Sequence, residues 1–364
     1  MTDIPTIWAH VADQSDLDGM VEVVDRLHLE HVPCDLAITG PLDVSHPDFD
    51  VEPLRDFDPQ ARDIQTLIWM DNAVNTRVLG QSHRSGMPVI LANISTNVLE
   101  GQPTVWQKPL AQSTLKTAKF ALVQSQQDRD YLLSLGVDRR AVQVTGVLQG
   151  CGLPPSYDAS ERQEIVKALT GCQIWFARGV PMAELDLVLD AYDKARRNVR
   201  KLVLFLDPMD EADAPTMTAA ARARGFSVAE RAVEAIPDAS THVFVTDGAF
   251  ERGLWYSLAV ATYLGGTFRG DTCANPLVSA AVGSALITGP NSPKHHAALA
   301  RMQAAEAVTI AATEDELGVE VARCVRPETA ALYAQAGWTM VANAAEGINR
   351  TVDLIKDILQ PDQP

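Results

Sequence analysis

The sequence is poor in positive charge. Its 364 residues include 30 lysines and arginines against 47 aspartates and glutamates, so the formal net charge is −17 at pH 7. Proteins that bind nucleic acid normally present a basic face to the phosphate backbone. The deficit of basic residues therefore argues against a nucleic-acid partner.

Cysteine is also scarce. The five cysteines are Cys34, Cys151, Cys172, Cys273 and Cys324, and no two of them form a CxxC pair. This spacing argues against a zinc site and against a disulfide framework. We predict reduced thiols, no metal ion and no cofactor.

Long apolar runs are missing as well. No stretch approaches the roughly 18 apolar residues that a membrane-spanning helix needs. The N-terminus has neither the basic region nor the apolar core of a signal peptide, and no Walker A loop, nucleophile elbow or kinase signature is present. We expect a cytoplasmic protein whose contact with a membrane is at most peripheral.

Apolar runs alternate with amphipathic helical patterns along the whole chain. Such alternation predicts parallel sheets covered by helices. Residues 146–160, with Gly, Pro and Ser, are the best linker candidate. We predict an α/β protein of the GT-B type, with two Rossmann-like domains whose parallel sheets face a cleft. The predicted domains cover residues 1–150 and 151–340, and a helical tail follows at 341–364 with a break near Gly347.

Residues 43–58 are strongly acidic. With six acidic side chains and a single arginine, this segment is predicted to be a solvated surface excursion.

A glycine-rich turn after a predicted buried strand is the strongest local signal for a ligand site. Gly265 and Gly266 end that strand, Thr267 and Arg269 follow, and Asn275 is placed to cap a helix. Glycines let a ligand approach the backbone, and a helix N-terminus offers free N–H groups to an anion. The pattern suits a nucleotide phosphate, although a tight turn without a ligand has the same sequence.

Acidic side chains follow two predicted strands. Asp16 lies just after the first strand, where a carboxylate can act as a general base, and Asp247 and Glu251 follow a later strand, where they can orient a ribose or a sugar. Acidic residues in the first turn of a helix also have a purely structural explanation. Four DxD pairs occur in this aspartate-rich chain, and we assign no metal to any of them.

Two Rossmann-like domains occur in GT-B glycosyltransferases, in some epimerases and in two-domain binding proteins, so architecture does not choose among them. The order of several sequence blocks, however, resembles the 3-deoxy-D-manno-octulosonic acid (Kdo) transferases of bacterial lipid A synthesis. The family block WIHAASVGE is similar to residues 8–16, and IPVxLVN is similar to residues 87–93. DTMGELxxxY and FVGGSLxxxGGHNPLEP resemble residues 247–256 and 263–279.

This resemblance implies an inverting transferase that needs no metal. Asp16 takes the position of the family's general base, and a CMP-activated acidic sugar would bind the second half of the chain. A lipid A precursor or related glycan would lie against the first half, on the side of Trp69 and Asn93. Arg178 and Arg269 are near matched blocks and are expected to replace basic residues that this chain has lost.

The departures from the family are mostly losses of charge. The two acids of ETELWPN are absent from residues 65–71, the lysine of NLK is Gln149, and the basic block PRHPER has become acidic around Asp207. The block STHxGEE, at residues 179–185, lacks its histidine. These changes leave two alternatives open, namely a non-catalytic GT-B-like binding or assembly protein and a transferase that uses another nucleotide sugar.

Overall fold

The structure is a computed structural model that describes residues 4–95, 109–150, 156–233, 236–246, 251–270 and 272–360. The chain forms two compact units. The first comprises Met1–Gly150 with Ala342–Pro364, and the second comprises Cys151–Val341.

The first unit is built on a parallel sheet of seven strands. In chain order these are β1 (Thr6–His10), β2 (Asp35–Thr39), β3 (Val51–Glu52), β4 (Ile64–Trp69), β5 (Val89–Ile94), β6 (Phe120–Val123) and β7 (Val142–Val144). Their spatial order is β3-β2-β1-β4-β5-β6-β7. The order reverses between β1 and β4, and open α/β sheets bind ligands beyond the carboxyl ends of the strands at such a reversal.

In the described part of the first unit, helices follow strands β1, β4, β5 and β6. They are α1 (Gln14–Leu29), α2 (Thr76–Arg84), α3 (Pro109–Leu115) and α4 (Gln126–Ser134). Helix α1 begins where the Asp13 carboxylate accepts a hydrogen bond from the Asp16 N–H at 3.0 Å, which is an N-cap. Its buried Leu17, Met20 and Val24 recur at helical spacing and pack into the same core as β1, so one face of α1 covers the sheet.

The second unit repeats this plan. Its strands are β8 (Gln173–Val180), β9 (Leu202–Pro208), β10 (Val228–Glu230), β11 (Val243–Val245), β12 (Ala261–Leu264), β13 (Ala285–Thr288) and β14 (Val308–Ile310). They form a parallel sheet in the order β10-β11-β9-β8-β12-β13-β14. Here the order reverses between β8 and β12, which places the glycine-rich turn after β12 beside the end of β8.

Helices flank this sheet as well. They are α5 (Ala159–Ala168), α6 (Leu185–Arg196), α7 (Ala214–Ala223), α8 (Arg252–Leu258), α9 (Pro276–Ala281), α10 (His296–Ala304) and α11 (Glu314–Cys324). The last helix, α12 (Pro327–Leu359), belongs to the second unit up to Val341 and to the first unit from Ala342 on. Among the described residues, no helix is both long and apolar enough to cross a bilayer. The predicted class, two Rossmann-like domains with parallel sheets as in the GT-B fold, is confirmed.

Helix α12 is continuous over 33 residues, so the predicted break near Gly347 is wrong. A Cβ atom on Gly347 would lie 2.8 Å from the carbonyl oxygen of Thr145. The glycine therefore allows a close approach of the helix to the first unit rather than ending the helix. Beyond it, Ile348, Val352 and Ile355 are buried in the core that also contains β1.

The acidic segment 43–58 is more than a solvated excursion. It contributes strand β3 to the edge of the first sheet. It also packs Phe57 against Trp8, with ring centroids 4.6 Å apart. The acidic side chains face solvent around this apolar anchor.

Candidate functional site

Asp16 and Asn93, predicted from separate sequence blocks, are in direct contact. Asp16 lies in the first turn of α1 and is only 6% exposed. One carboxylate oxygen accepts from the N–H of Ala12 at 3.1 Å, and the other accepts from Asn93 Nδ2 at 2.7 Å. These bonds fix the carboxylate at the carboxyl edge of the first sheet, between the ends of β1 and β5.

Asn93 owes its position to an unusual backbone. Its φ of 56° is in the left-handed region, which asparagine tolerates better than most residues. Its Nδ2 also donates to the carbonyl of Leu148 at 2.7 Å, and its Oδ1 accepts from the N–H of Leu148 at 2.6 Å. Asn93 thus joins Asp16 to the segment that follows β7.

Trp69, predicted on the acceptor side, stacks on His10. The rings are 4.1 Å apart at an angle of 28°, and the Trp69 indole N–H donates to the carbonyl of Asp71 at 2.8 Å. His10 Nδ1 is 2.9 Å from the Thr39 hydroxyl, and its Nε2 is 3.9 Å from a carboxylate oxygen of Asp71. Sequence reasoning missed both His10 and Asp71, although His10 is the last residue of the first strand.

Two cavities open on this part of the first unit. A cavity of about 370 Å³ is lined by His10, Trp69, Asp71 and Arg77 among others. A larger one of about 740 Å³ lies under the 54–60 segment, with Trp8 in its wall. Both are lined by Leu54, Asn75 and Arg77. Together they offer aromatic surface and polar groups to a ligand.

In the second unit, the two glycines of the predicted turn are required by close backbone contacts. A Cβ atom on Gly265 would lie 2.4 Å from the carbonyl oxygen of Gly179, at the end of β8. Gly266 has a φ of 79°, and its Cβ would lie 2.2 Å from the carbonyl oxygen of Thr272. The glycines therefore let backbone approach backbone.

The amides of this turn bind a carboxylate of the protein itself. Glu184 is fully buried. One of its oxygens accepts from the N–H of Gly266 at 2.8 Å and from the Tyr263 hydroxyl at 2.7 Å. The other accepts from the N–H groups of Phe268 at 2.8 Å and Arg269 at 2.7 Å. The turn is an anion-binding nest occupied by Glu184, which stands at the first glutamate of the STHxGEE-like block and which sequence reasoning missed.

The other predicted residues of the turn are also bonded within the unit. The Thr267 hydroxyl donates to the carbonyl of Leu264 and accepts from the N–H of Gly289, both at 2.7 Å. Arg269 forms a bidentate ion pair with Glu314, at 2.7 and 2.6 Å. Asn275 caps α9 as predicted, since its side-chain oxygen accepts from the N–H of Leu277 at 2.9 Å.

Arg178 belongs to a separate cluster of charges on the carboxyl ends of β8 and β9. It donates to a carboxylate oxygen of Asp207 at 2.7 Å, and that oxygen also accepts from the N–H of Gly179 at 3.0 Å. Nε of Arg252 lies 3.6 Å from the other oxygen of Asp207. Tyr256 faces these charges, and burial raises the pKa of its phenol. Sequence reasoning missed Arg252, which lies directly after the predicted Glu251.

Glu251, one of the two acids predicted in the second unit, is held in ion pairs. Glu251 accepts from Arg231 through both oxygens, at 2.6 and 2.8 Å, and Arg231 also pairs with Glu161. These ion pairs raise the pKa of Arg231. Asp247 lies outside the described residues. Within the described part of the chain, no cluster of three or more His, Cys, Asp or Glu side chains is arranged to hold a metal ion.

Comparisons with known proteins agree on the fold. No protein-family model matches the chain, and no curated protein matches it. A co-structure of MnaA with UDP from S. aureus is similar with a TM-score of 0.50 and 11% identity, covering 99% of each chain. A glycosyltransferase from Rickettsia africae gives a TM-score of 0.47 and 10% identity, covering 99% of this chain and all of the other.

A third solved structure is similar to about half of the chain. The C-terminal CMP-Kdo binding domain of WaaA from Acinetobacter baumannii is similar with a TM-score of 0.45 and 20% identity, covering 52% of this chain and 97% of that domain. At 11% identity, the similarity to the MnaA co-structure concerns the fold alone.

Proposed function

We propose that this protein is an inverting GT-B glycosyltransferase of the Kdo-transferase type. It transfers an acidic sugar from a CMP-activated donor to a lipid A precursor or a related glycan. The contact between Asp16 and Asn93 carries the proposal. These residues come from two separate blocks that resemble the family, 77 positions apart, and they share a 2.7 Å hydrogen bond at the ligand-binding edge of the first sheet.

Asp16 is the general base of this reaction. The oxygen of an acceptor hydroxyl attacks the anomeric carbon as the bond from that carbon to the phosphate oxygen breaks. Asp16 takes the hydroxyl proton, and CMP leaves with the electron pair of the broken bond. The hydrogen bonds from Ala12 and Asn93 hold the carboxylate in one orientation, which is what a positioned base requires.

The donor binds the second unit. Negative charge grows on the leaving phosphate, and a guanidinium group such as that of Arg178 stabilises it. Glu251 and Asp247 orient the ribose or the sugar, and the α9 start at Asn275 flanks the donor beside the turn of Gly265 and Gly266.

The acceptor binds the first unit beside Trp69. The stacked His10–Trp69 pair and the neighbouring cavities provide aromatic surface for a glycan or for the apolar part of a glycolipid. A glycolipid acceptor would bring the protein to the inner membrane as a peripheral partner.

A second candidate is a GT-B-shaped protein that binds a nucleotide sugar without transferring it. Two observations favour it. Asp16 is 6% exposed with both oxygens hydrogen-bonded inside the unit, and Arg269 is neutralised by Glu314.

The deciding experiment is turnover by the full chain. CMP-Kdo and a panel of UDP- and GDP-sugars are incubated with a lipid A precursor, and the released nucleotide is measured by chromatography. The proposal predicts release of CMP that depends on the acceptor. Turnover of a UDP- or GDP-sugar instead would identify another donor, and binding of a nucleotide sugar with no turnover would establish the binding protein.

A further inference from the structure

We propose that Arg178 and Arg252, on either side of the buried Asp207 carboxylate, hold the phosphate of the bound nucleotide. This inference rests on the proposed function, because it names the phosphate-binding groups of that same site. It replaces the amides of the glycine-rich turn in that role.

The two arginines are fixed by one carboxylate. Arg178 donates to one oxygen of Asp207 at 2.7 Å, and Nε of Arg252 lies 3.6 Å from the other. Asp207 is only 1% exposed and also accepts from the N–H of Gly179. The guanidinium groups therefore lie close together beside the reversal of strand order at β8, where α/β sheets bind ligands.

Arg252 lacks an acceptor within the part of the chain that the structure describes. Its Nε is buried and makes no hydrogen bond, and 3.6 Å is too long for one to Asp207. A guanidinium has several N–H donors in a planar fork that matches two phosphate oxygens. The unused donors of Arg252 thus point to an anion from outside the chain.

Charge and shielding favour an anion here. Two guanidiniums against one carboxylate leave this trio with one net positive charge, in a chain whose formal net charge is −17. The side chains of Arg178 and Arg252 are 17% and 22% exposed. Charges that are partly shielded from water attract a phosphate more strongly than charges on an open surface.

The glycine-rich turn is a less favourable site for a phosphate than the two arginines. Its amides at Gly266, Phe268 and Arg269 already donate to Glu184. A phosphate there would meet a negative carboxylate and would have to displace it. The nearby Arg269 side chain is committed to Glu314.

The test measures binding of CMP, UDP, cytidine and uridine to the full chain by titration calorimetry. Arg252→Gln is the main variant, because among the described residues Arg252 forms no hydrogen bond, only the 3.6 Å ion pair with Asp207. The proposal predicts that this variant weakens nucleotide binding by about tenfold or more and leaves nucleoside binding unchanged. Arg252→Lys should recover part of the loss, since it restores the charge without the fork.

Two further variants complete the design. Arg222→Gln removes an exposed arginine of the same unit that pairs with Glu230, and it should not change nucleotide affinity. The double variant Arg178→Gln/Asp207→Asn removes a buried charge pair together, so that no buried carboxylate is left unpaired. It too should bind nucleotides about tenfold or more weakly.

The outcomes separate this proposal from the function. If the wild type binds CMP and Arg252→Gln binds it equally well, the arginine site is wrong and the proposed function stands. The arginine site is also wrong if Arg269→Gln weakens nucleotide binding while Arg252→Gln does not. If the wild type binds neither nucleotide at millimolar concentration, the proposed function itself fails, and the phosphate site with it.

Discussion

Asn93 Nδ2 donates a hydrogen bond of 2.7 Å to a carboxylate oxygen of Asp16. The same side chain bonds both backbone polar groups of Leu148. One amide therefore ties together the first turn of α1, the end of β5 and the segment after β7, and it does so from a left-handed backbone conformation. The stability of the first unit and the position of its candidate base depend on the same residue.

Replacing Asn93 with alanine should lower the free energy of unfolding of the first unit by about 2–4 kcal/mol. Buried partners would lose their hydrogen bonds, and alanine tolerates the left-handed backbone less well. Urea denaturation measures the change. Gln126→Ala, which removes an exposed side chain that donates to Asp130, should change stability by less than about 0.5 kcal/mol. Equal stability of Asn93→Ala and the wild type would contradict the role given to Asn93.

Asp16→Asn should abolish turnover while nucleotide binding persists. The amide cannot accept the proton, and its NH₂ group would face a donor, either the N–H of Ala12 or the amide of Asn93. Some loss of stability is therefore expected too. Asp13→Asn is the matched control, because asparagine caps a helix about as well as aspartate, and it should retain turnover. Full activity of Asp16→Asn would remove Asp16 from the mechanism.

Glu184→Gln should loosen the glycine-rich turn. A glutamine places an NH₂ group against two of the four donors that Glu184 now accepts from, which costs roughly 2–4 kcal/mol. Hydrogen exchange at the amides of Gly266, Phe268 and Arg269 should become faster. Glu164→Gln, on the exposed face of α5, should leave exchange at those three amides as it is. Unchanged protection in Glu184→Gln would show that the carboxylate does not hold the turn.

Asp18→Asn should stabilise the protein near neutral pH. Burial raises the pKa of Asp18 above its ordinary value, so the native state binds this proton more tightly than the unfolded chain. Wild-type stability therefore falls as pH rises from the ordinary value through the raised one. Asparagine stays neutral and keeps an oxygen for Gln14 Nε2, now 2.9 Å from the carboxylate.

Urea denaturation over a pH series checks this sign. The advantage of Asp18→Asn should vanish below about pH 4, where the carboxyl is protonated in both states. Asp25→Asn, on the exposed face of α1, should follow the wild-type curve. A variant less stable than wild type at neutral pH would contradict the account of Asp18.

The sequence predicted the central strands well because they are long, apolar and bounded by helical patterns. The apolar run at residues 285–288 predicts a strand, and β13 has those bounds, Ala285–Thr288. The strands that the sequence pattern did not indicate are β3, β10 and β14, which have two or three residues each and lie at the edges of their sheets. The prediction at Gly347 failed because a glycine in a helical pattern signals a break, whereas here tertiary packing requires it.

Individual residues of the candidate site could be predicted from sequence blocks. The contacts between those residues could not, because they join distant parts of the chain. Asp16 and Asn93 were found from blocks, and their contact needed the fold. Glu184 reaches its four partners across 79 to 85 residues. No local pattern indicates that a carboxylate fills the glycine-rich turn. In the sequence, Arg252 is an ordinary residue at the start of a helix. Only the fold shows that its guanidinium lies beside the carboxylate of Asp207.

A crystal structure of the full chain with CMP tests the central claim most directly. The account predicts CMP on the second unit, at the carboxyl ends of β8 and β9, with phosphate oxygens within hydrogen-bond distance of Arg178 and Arg252 and with Glu184 still bound to the glycine-rich turn. CMP bound to the first unit, or a second unit without CMP in crystals grown at saturating nucleotide, would contradict it.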